Sequence, residues 1–120
     1  MPLTEISRKR LSTVVPELQK VMEQSIAIAE ERGMTVQITE GVRTMAQQRE
    51  YVAQGKSKTM NSYHLSGKAV DVYVNNGWNF DDYRKFADIV KKVAAEFEHA
   101  VTWGGDWKTL RDGPHFQLEE

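Results

Sequence analysis

The sequence has no cysteine. That excludes a disulfide framework and any metal site built on thiolates, so a bound metal must be held by nitrogen and oxygen. It has almost no surplus charge, because 16 Lys and Arg stand against 17 Asp and Glu, for a net charge of −1. With no basic excess to neutralise phosphates, nucleic acid is not expected as the main partner. Long hydrophobic runs are missing. Nothing approaches the roughly eighteen apolar residues of a membrane span, and the opening MPLTEISRKRL has no apolar signal-peptide core. The expectation is a soluble chain made in the cytoplasm, without membrane insertion, that something else must deliver to any target outside. Repeats, low-complexity tracts and linkers are absent too. The 120 residues are therefore expected to form one domain with one modest core. No exposed apolar stripe stands out, which makes a monomer the default.

What is present is a mixed pattern of helices and strands. Residues 16–32 read as a helix, with Pro16 in the first turn and Gly33 at the stop. Leu18, Val21, Met22, Ser25, Ile28 and Ala29 mark its buried face. A shorter helical turn around Ile6 to Thr13 precedes it. Residues 34–43 alternate, with Val36 and Ile38 on one side, as a strand does. Thr44 with Gln47 forms a capping-box pattern that opens a second helix, which Gly55 ends. A polar loop follows over 55–62, then a strand over 68–74 and an Asn-Asn-Gly turn over 75–77. Asn79 caps a third helix whose apolar face carries Tyr83, Phe86, Ala87, Val90, Val93, Ala94 and Phe97. The remainder reads as a strand, a glycine turn, a loop and a short strand from His115. The class is α+β: a small antiparallel β-sheet with helices packed on one face.

The chemistry sits in MNSYHLSGKAVDVYV, residues 60–74. By the two-residue period, Val70, Val72 and Val74 point one way, and Ala69, Asp71 and Tyr73 the other. If the valines face the helices, Asp71 stands on the open face. In the last strand Phe116 and Leu118 take the core side, leaving His115 and Gln117 opposite. His64 lies in the loop that enters the first of these strands and can fold back over that face. Two histidines and one carboxylate are the ligand set of a catalytic zinc whose fourth position is left to water. The same donors would accept cobalt or manganese. Asp112, three residues before His115, is the second carboxylate that a hydrolase needs as general base.

These stretches carry a resemblance. SYHLSGKAVD, residues 62–71, is similar to the SxHxxGxAxD motif of zinc peptidases related to D-Ala-D-Ala carboxypeptidases and dipeptidases. WGGDW, residues 103–107, followed by DGPHF, residues 112–116, resembles the ending of the branch that contains the phage endolysin L-alanyl-D-glutamate endopeptidases. EGVRT, residues 40–44, and the stretch on through Gln48 resemble that branch's arginine-bearing strand-to-helix junction. The resemblance implies His64, Asp71 and His115 as zinc ligands and Asp112 as the catalytic carboxylate. It also implies Arg43 and Ser62 as substrate-side residues, with Arg43 suited to a bidentate grip on a peptide carboxylate. The carboxypeptidase relatives carry glutamate where this chain has Asp112, which turns the expectation towards the endolysin branch.

The implied activity is zinc-dependent cleavage of the L-alanyl-D-glutamate bond in peptidoglycan stem peptides. The implied setting is the cell wall, reached from the host cytoplasm through a membrane pore, with no separate wall-binding domain. A D-Ala-D-Ala carboxypeptidase or dipeptidase is the alternative within the class. A zinc-stabilised binding module, as in the related hedgehog signalling domain, is the alternative outside it. Plainer readings stand beside these. Arg43 can pair with Glu40, His99 can meet the carbonyls at a helix end, and Trp103 and Trp107 can be core or rim packing. Arg8, Lys9 and Arg10 read as a solvated helix face.

Overall fold

The computed structural model describes residues 3–57, 59–109 and 111–120. Its sheet has four antiparallel strands, β1 (Val36–Glu40), β2 (Ala69–Val74), β3 (Val101–Trp103) and β4 (His115–Leu118). They lie in the order β1-β2-β4-β3. The valines of β2 face inward as their alternation requires. Val70, Val72 and Val74 are fully buried with Val36, Ile38 and Phe116. Two long helices cover that face, α2 (Pro16–Glu31) and α4 (Phe80–Glu96), packed against each other and sharing one core cluster with the strands. The residues expected on the apolar face of α4 are buried, except that Phe97 is only partly so.

Local chemistry sets where these helices begin. Pro16 occupies the first turn of α2, where its missing N–H leaves no partner wanting. The Asn79 side chain accepts from the Asp81 N–H at the start of α4. Thr44 and Gln47 form the expected reciprocal capping box of α3 (Met45–Ala53). The short helix α1 (Glu5–Leu11) lies along the free edge of β1. There the Ser7 hydroxyl accepts from the Ile38 N–H at 3.0 Å, and Arg10 Nη1 donates to the Ile38 carbonyl at 3.1 Å. An edge strand with its backbone groups already engaged cannot recruit another strand.

The strand expected over 34–43 is shorter, and the reason is local. Beyond Ile38 the ladder slips by one residue: Ile38 pairs with Val72, but Glu40 pairs with Asp71. Thr39 is the extra residue of a bulge. The chain then leaves the sheet, because the Val42 N–H donates to Thr13 Oγ1 and the Arg43 N–H to the His64 carbonyl. The Asn-Asn-Gly turn holds as expected, with Asn75 and Asn76 both at φ of 52°. α2 and α4 occupy one face. α3 borders the other, and there the site forms.

Candidate metal centre

The antiparallel ladder between β2 and β4 sets Asp71 directly opposite His115. Both are on the side away from the valines, so the pair meets because each strand alternates. Asp71 Oδ1 and His115 Nδ1 are 3.2 Å apart. His64 arrives from a single 3₁₀ turn, Tyr63–Ser66. Ser62 caps that turn, its hydroxyl oxygen accepting from the His64 N–H at 3.2 Å. Gly67 ends it in the left-handed region at φ of 72°, where a side chain would be strained. This turn aims His64 Nε2 at Asp71 Oδ1, 3.4 Å away. The three residues offer ligand atoms within 4.8 Å of one another, about twice the 2.0–2.2 Å bond of zinc to nitrogen or oxygen.

Each imidazole is oriented through the ring nitrogen that points away from Asp71. His64 Nδ1 lies 2.8 Å from the Gly41 carbonyl, which can only accept, so Nδ1 carries a proton and Nε2 is the atom turned towards Asp71. His115 is wired from its other nitrogen. The Gln117 amide donates to Glu119 at 3.1 Å, which turns its oxygen to His115 Nε2 at 2.8 Å. That leaves His115 Nδ1 as the ring nitrogen facing Asp71. Second partners of this kind orient metal-bound histidines and raise their basicity.

Among the described residues His64 Nε2 is buried without a hydrogen-bond partner, with Asp71 Oδ1 3.4 Å away. A buried orphan acceptor is costly unless something occupies the position it faces. A divalent ion held by His64, Asp71 and His115 would satisfy it and neutralise the Asp71 charge. The donor set of two imidazole nitrogens and one carboxylate oxygen fits zinc.

Burial works to raise the Asp71 pKa, but the adjacent His115 and His64 outweigh it and hold the carboxyl well below the usual range. His115 is pushed up: burial opposes its charge, and Asp71 more than compensates. Asp112 is pushed up by burial first and by the Asp71 charge second. Asp112 reaches this place through its backbone. Its N–H donates to the Gly104 carbonyl at 3.0 Å, and its own carbonyl accepts from the His115 N–H at 3.2 Å. A side chain at Gly104 would run into Asp112, with a Cβ 2.4 Å from its carbonyl oxygen, so the glycine is what lets the two segments close. Trp103 braces the same turn from the core, donating to the Gly113 carbonyl at 2.6 Å.

The six residues singled out in the sequence line one cleft of about 660 Å³. Arg43 is not free within it. Its Nε donates to Glu40 at 2.5 Å, Nη2 pairs with the same carboxylate, and Nη1 donates to Gln48 at 2.6 Å. Its guanidinium lies 4.5 Å over the Tyr51 ring. Gln48 is fully buried and anchors the network to Ser57 and Thr59.

The pairing of Arg43 with Glu40, the plainer reading of the sequence, is present, whereas Tyr51 and the buried anchoring role of Gln48 are not foreseen. A regular strand puts Glu40 with Val36 and Ile38 on the core face, and only the bulge turns it to the cleft. Gln117 was assigned to the open face by its period but given no task. The tryptophans divide: Trp103 is core, and Trp107 lies against His115 with ring centres 5.2 Å apart. His99 stays outside the site. Its Nδ1 pairs with the Glu120 carboxylate at 3.0 Å rather than with a helix-end carbonyl.

Comparison with known proteins adds independent support. A model of the phage L-alanyl-D-glutamate peptidase family matches residues 1–118. The L-alanyl-D-glutamate peptidase of Listeria phage A118 is 40% identical over 91 residues. That match covers 75% of this chain but only 32% of the relative, so the chain spans about a third of that protein's length. The crystal structure of the Serratia marcescens L-Ala D-Glu endopeptidase ChiX superposes with a TM-score of 0.87 at 40% identity, covering 98% of this chain and 90% of that one. The fold also extends to VanY, a vancomycin-resistance D,D-pentapeptidase solved with Zn(II). Its TM-score is 0.64 at 16% identity, over 88% of this chain and 72% of that one.

Proposed function

The chain belongs to the phage L-alanyl-D-glutamate peptidase family, and from that premise we propose that it is a zinc-dependent endopeptidase of the bacterial cell wall. Its substrate is the peptidoglycan stem peptide, cut between L-alanine and D-glutamate. His64, Asp71 and His115 hold the metal, and Asp112 is the catalytic carboxylate. The observation that carries this reading is the buried, partnerless His64 Nε2 aimed at the same point as Asp71 and His115 Nδ1.

Zinc, when bound, supplies the Lewis acidity that makes water a nucleophile near neutral pH and polarises the scissile carbonyl. The chain supplies the proton traffic and the positioning. Asp112 takes the proton from the attacking water and returns it to the amine of the departing D-glutamate. Its raised pKa suits a group that must hold that proton for part of the cycle. Two of the five N–H groups of Arg43 remain after its bonds to Glu40 and Gln48, and they face charge developing on the carbonyl oxygen. Ser62 spends its oxygen on the His64 N–H, so it positions a ligand and has its O–H left for substrate. Trp107, lying on His115, keeps water from one side of the cleft.

No helix among the described residues is long and apolar enough to cross a membrane. In this reading the 120 residues act as one catalytic unit, a monomer that reaches the wall through a pore made by another agent.

The test is digestion of purified peptidoglycan, with and without chelator, followed by mass spectrometry. Stem peptides beginning at D-glutamate, lost on chelation and restored by zinc, are the expected product. Release of D-alanine alone would move the chain to the carboxypeptidase class. No cleavage by protein holding one zinc per chain would leave a binding module.

A further inference from the structure

The cleft contains a second cation that, among the described residues, no carboxylate neutralises. Lys56 lines it beside Arg43. Lys56 is exposed, and among the described residues it makes no ion pair and no side-chain hydrogen bond. Its backbone is nonetheless fixed. The Lys56 N–H donates to the Tyr51 carbonyl at 2.8 Å and the Gly55 N–H to Val52 at 3.1 Å, with Gly55 at φ of 75°. That is a Schellman closure of α3, so the lysine leaves the helix in a set direction. Its ammonium sits 5.9 Å from the centre of the Tyr51 ring, on the same ring that carries Arg43.

The substrate class brings an unmet charge. In a stem peptide the D-glutamate is linked onward through its γ-carboxyl. Its α-carboxylate is therefore free, one carbon from the nitrogen that leaves. That anion must enter a cleft already holding Glu40, Asp71 and Asp112. Asp71 is committed to the two histidines, and Arg43 is neutralised by Glu40. Lys56 is the cation left over.

We propose that Lys56 is a specificity-determining residue, binding the free α-carboxylate of the D-glutamyl residue and selecting stem peptides that carry it over those in which it is amidated. The inference rests on the endopeptidase reading above. It transfers to Lys56 the carboxylate grip that the sequence suggested for Arg43. A flexible ammonium on a long stem suits a single charged contact at a cleft rim.

The test compares two peptides, N-acetyl-L-alanyl-γ-D-glutamyl-L-lysine and its α-amide, cut by zinc-loaded protein and followed by chromatography of the released amine. The wild-type chain should favour the acid by about tenfold in kcat/KM, as a charge-assisted contact gives. The preference should lie mainly in KM and shrink as salt rises. Lys56→Gln should bring the ratio to about one, Lys56→Glu should invert it, and Lys56→Arg should restore most of it. An unchanged ratio in Lys56→Gln, with normal wild-type cleavage, would overturn this inference alone. If the zinc-loaded wild type cuts neither peptide, the endopeptidase reading falls and takes this one with it.

Discussion

The two faces of the central sheet are built from the same strands by different rules. On the helix side, Val70, Val72 and Phe116 are fully buried and need only volume and apolarity. On the cleft side their immediate neighbours, Asp71, His115 and Gln117, are held by directed bonds. Asp71 meets His115 there, and His115 in turn meets Gln117. The helix side can absorb a change by repacking, at a cost in stability. The cleft side cannot, because turning one donor away leaves another unpaired in a poorly solvated place. Residues one position apart in β4 therefore fail in different ways when mutated.

His115→Ala and Phe116→Ala make that comparison directly. His115→Ala should lose zinc by elemental analysis, and peptidoglycan hydrolysis should fall by a factor on the order of 10⁴, while circular dichroism stays native. Asp112→Asn should keep one zinc per chain and lose about 10²–10⁴-fold in kcat. If it loses the metal instead, Asp112 is a ligand and the division of labour drawn here is wrong. Phe116→Ala should cost about 3–5 kcal/mol in denaturant unfolding yet leave the folded fraction with normal metal content. Weaker zinc binding per folded molecule in that variant would break the independence of the two faces. Gln117→Leu should sharpen it, weakening zinc by about 10–100-fold in a competition titration with little change in melting temperature.

The smallest effect concerns pH in chelator-stripped protein. Asp71 is lowered, so its contribution to stability is present above the ordinary value of 3.8 and is lost as pH falls through its folded value. His115 is raised, so its contribution is full below 6.5 and is lost as pH rises through its folded value. The melting temperature of the stripped protein should be highest between those two values. It should decline on either side by an amount on the order of a few degrees. Zinc should abolish the decline on the alkaline side.

Much of this was legible from periodicity and caps. The alternation of β2 and β4 put Asp71 and His115 on one face, and that face is where the ladder pairs them. Pro16, Thr44 and Asn79 marked helix starts because their chemistry acts within one turn. What the sequence hid depended on distant partners. The slip at Thr39 has no local signal, so an Arg43–Glu40 pair could be named from the sequence but its place in the cleft could not. The roles of Gln48 and Tyr51 likewise depend on α3 swinging beside the sheet. Trp103 and Trp107 share one motif and differ only in which side of the 104–106 turn they fall.

The opposite wiring of the two histidines has an evolutionary consequence. His64 leans on a main-chain carbonyl, which no codon change can remove. Position 41 is also closed to replacement, since a Cβ there would lie 2.2 Å from the Arg10 carbonyl oxygen. His115 leans on a side chain that one nucleotide can alter. Heritable variation in how firmly the two imidazoles are oriented therefore enters more readily through codon 117 than through codon 41.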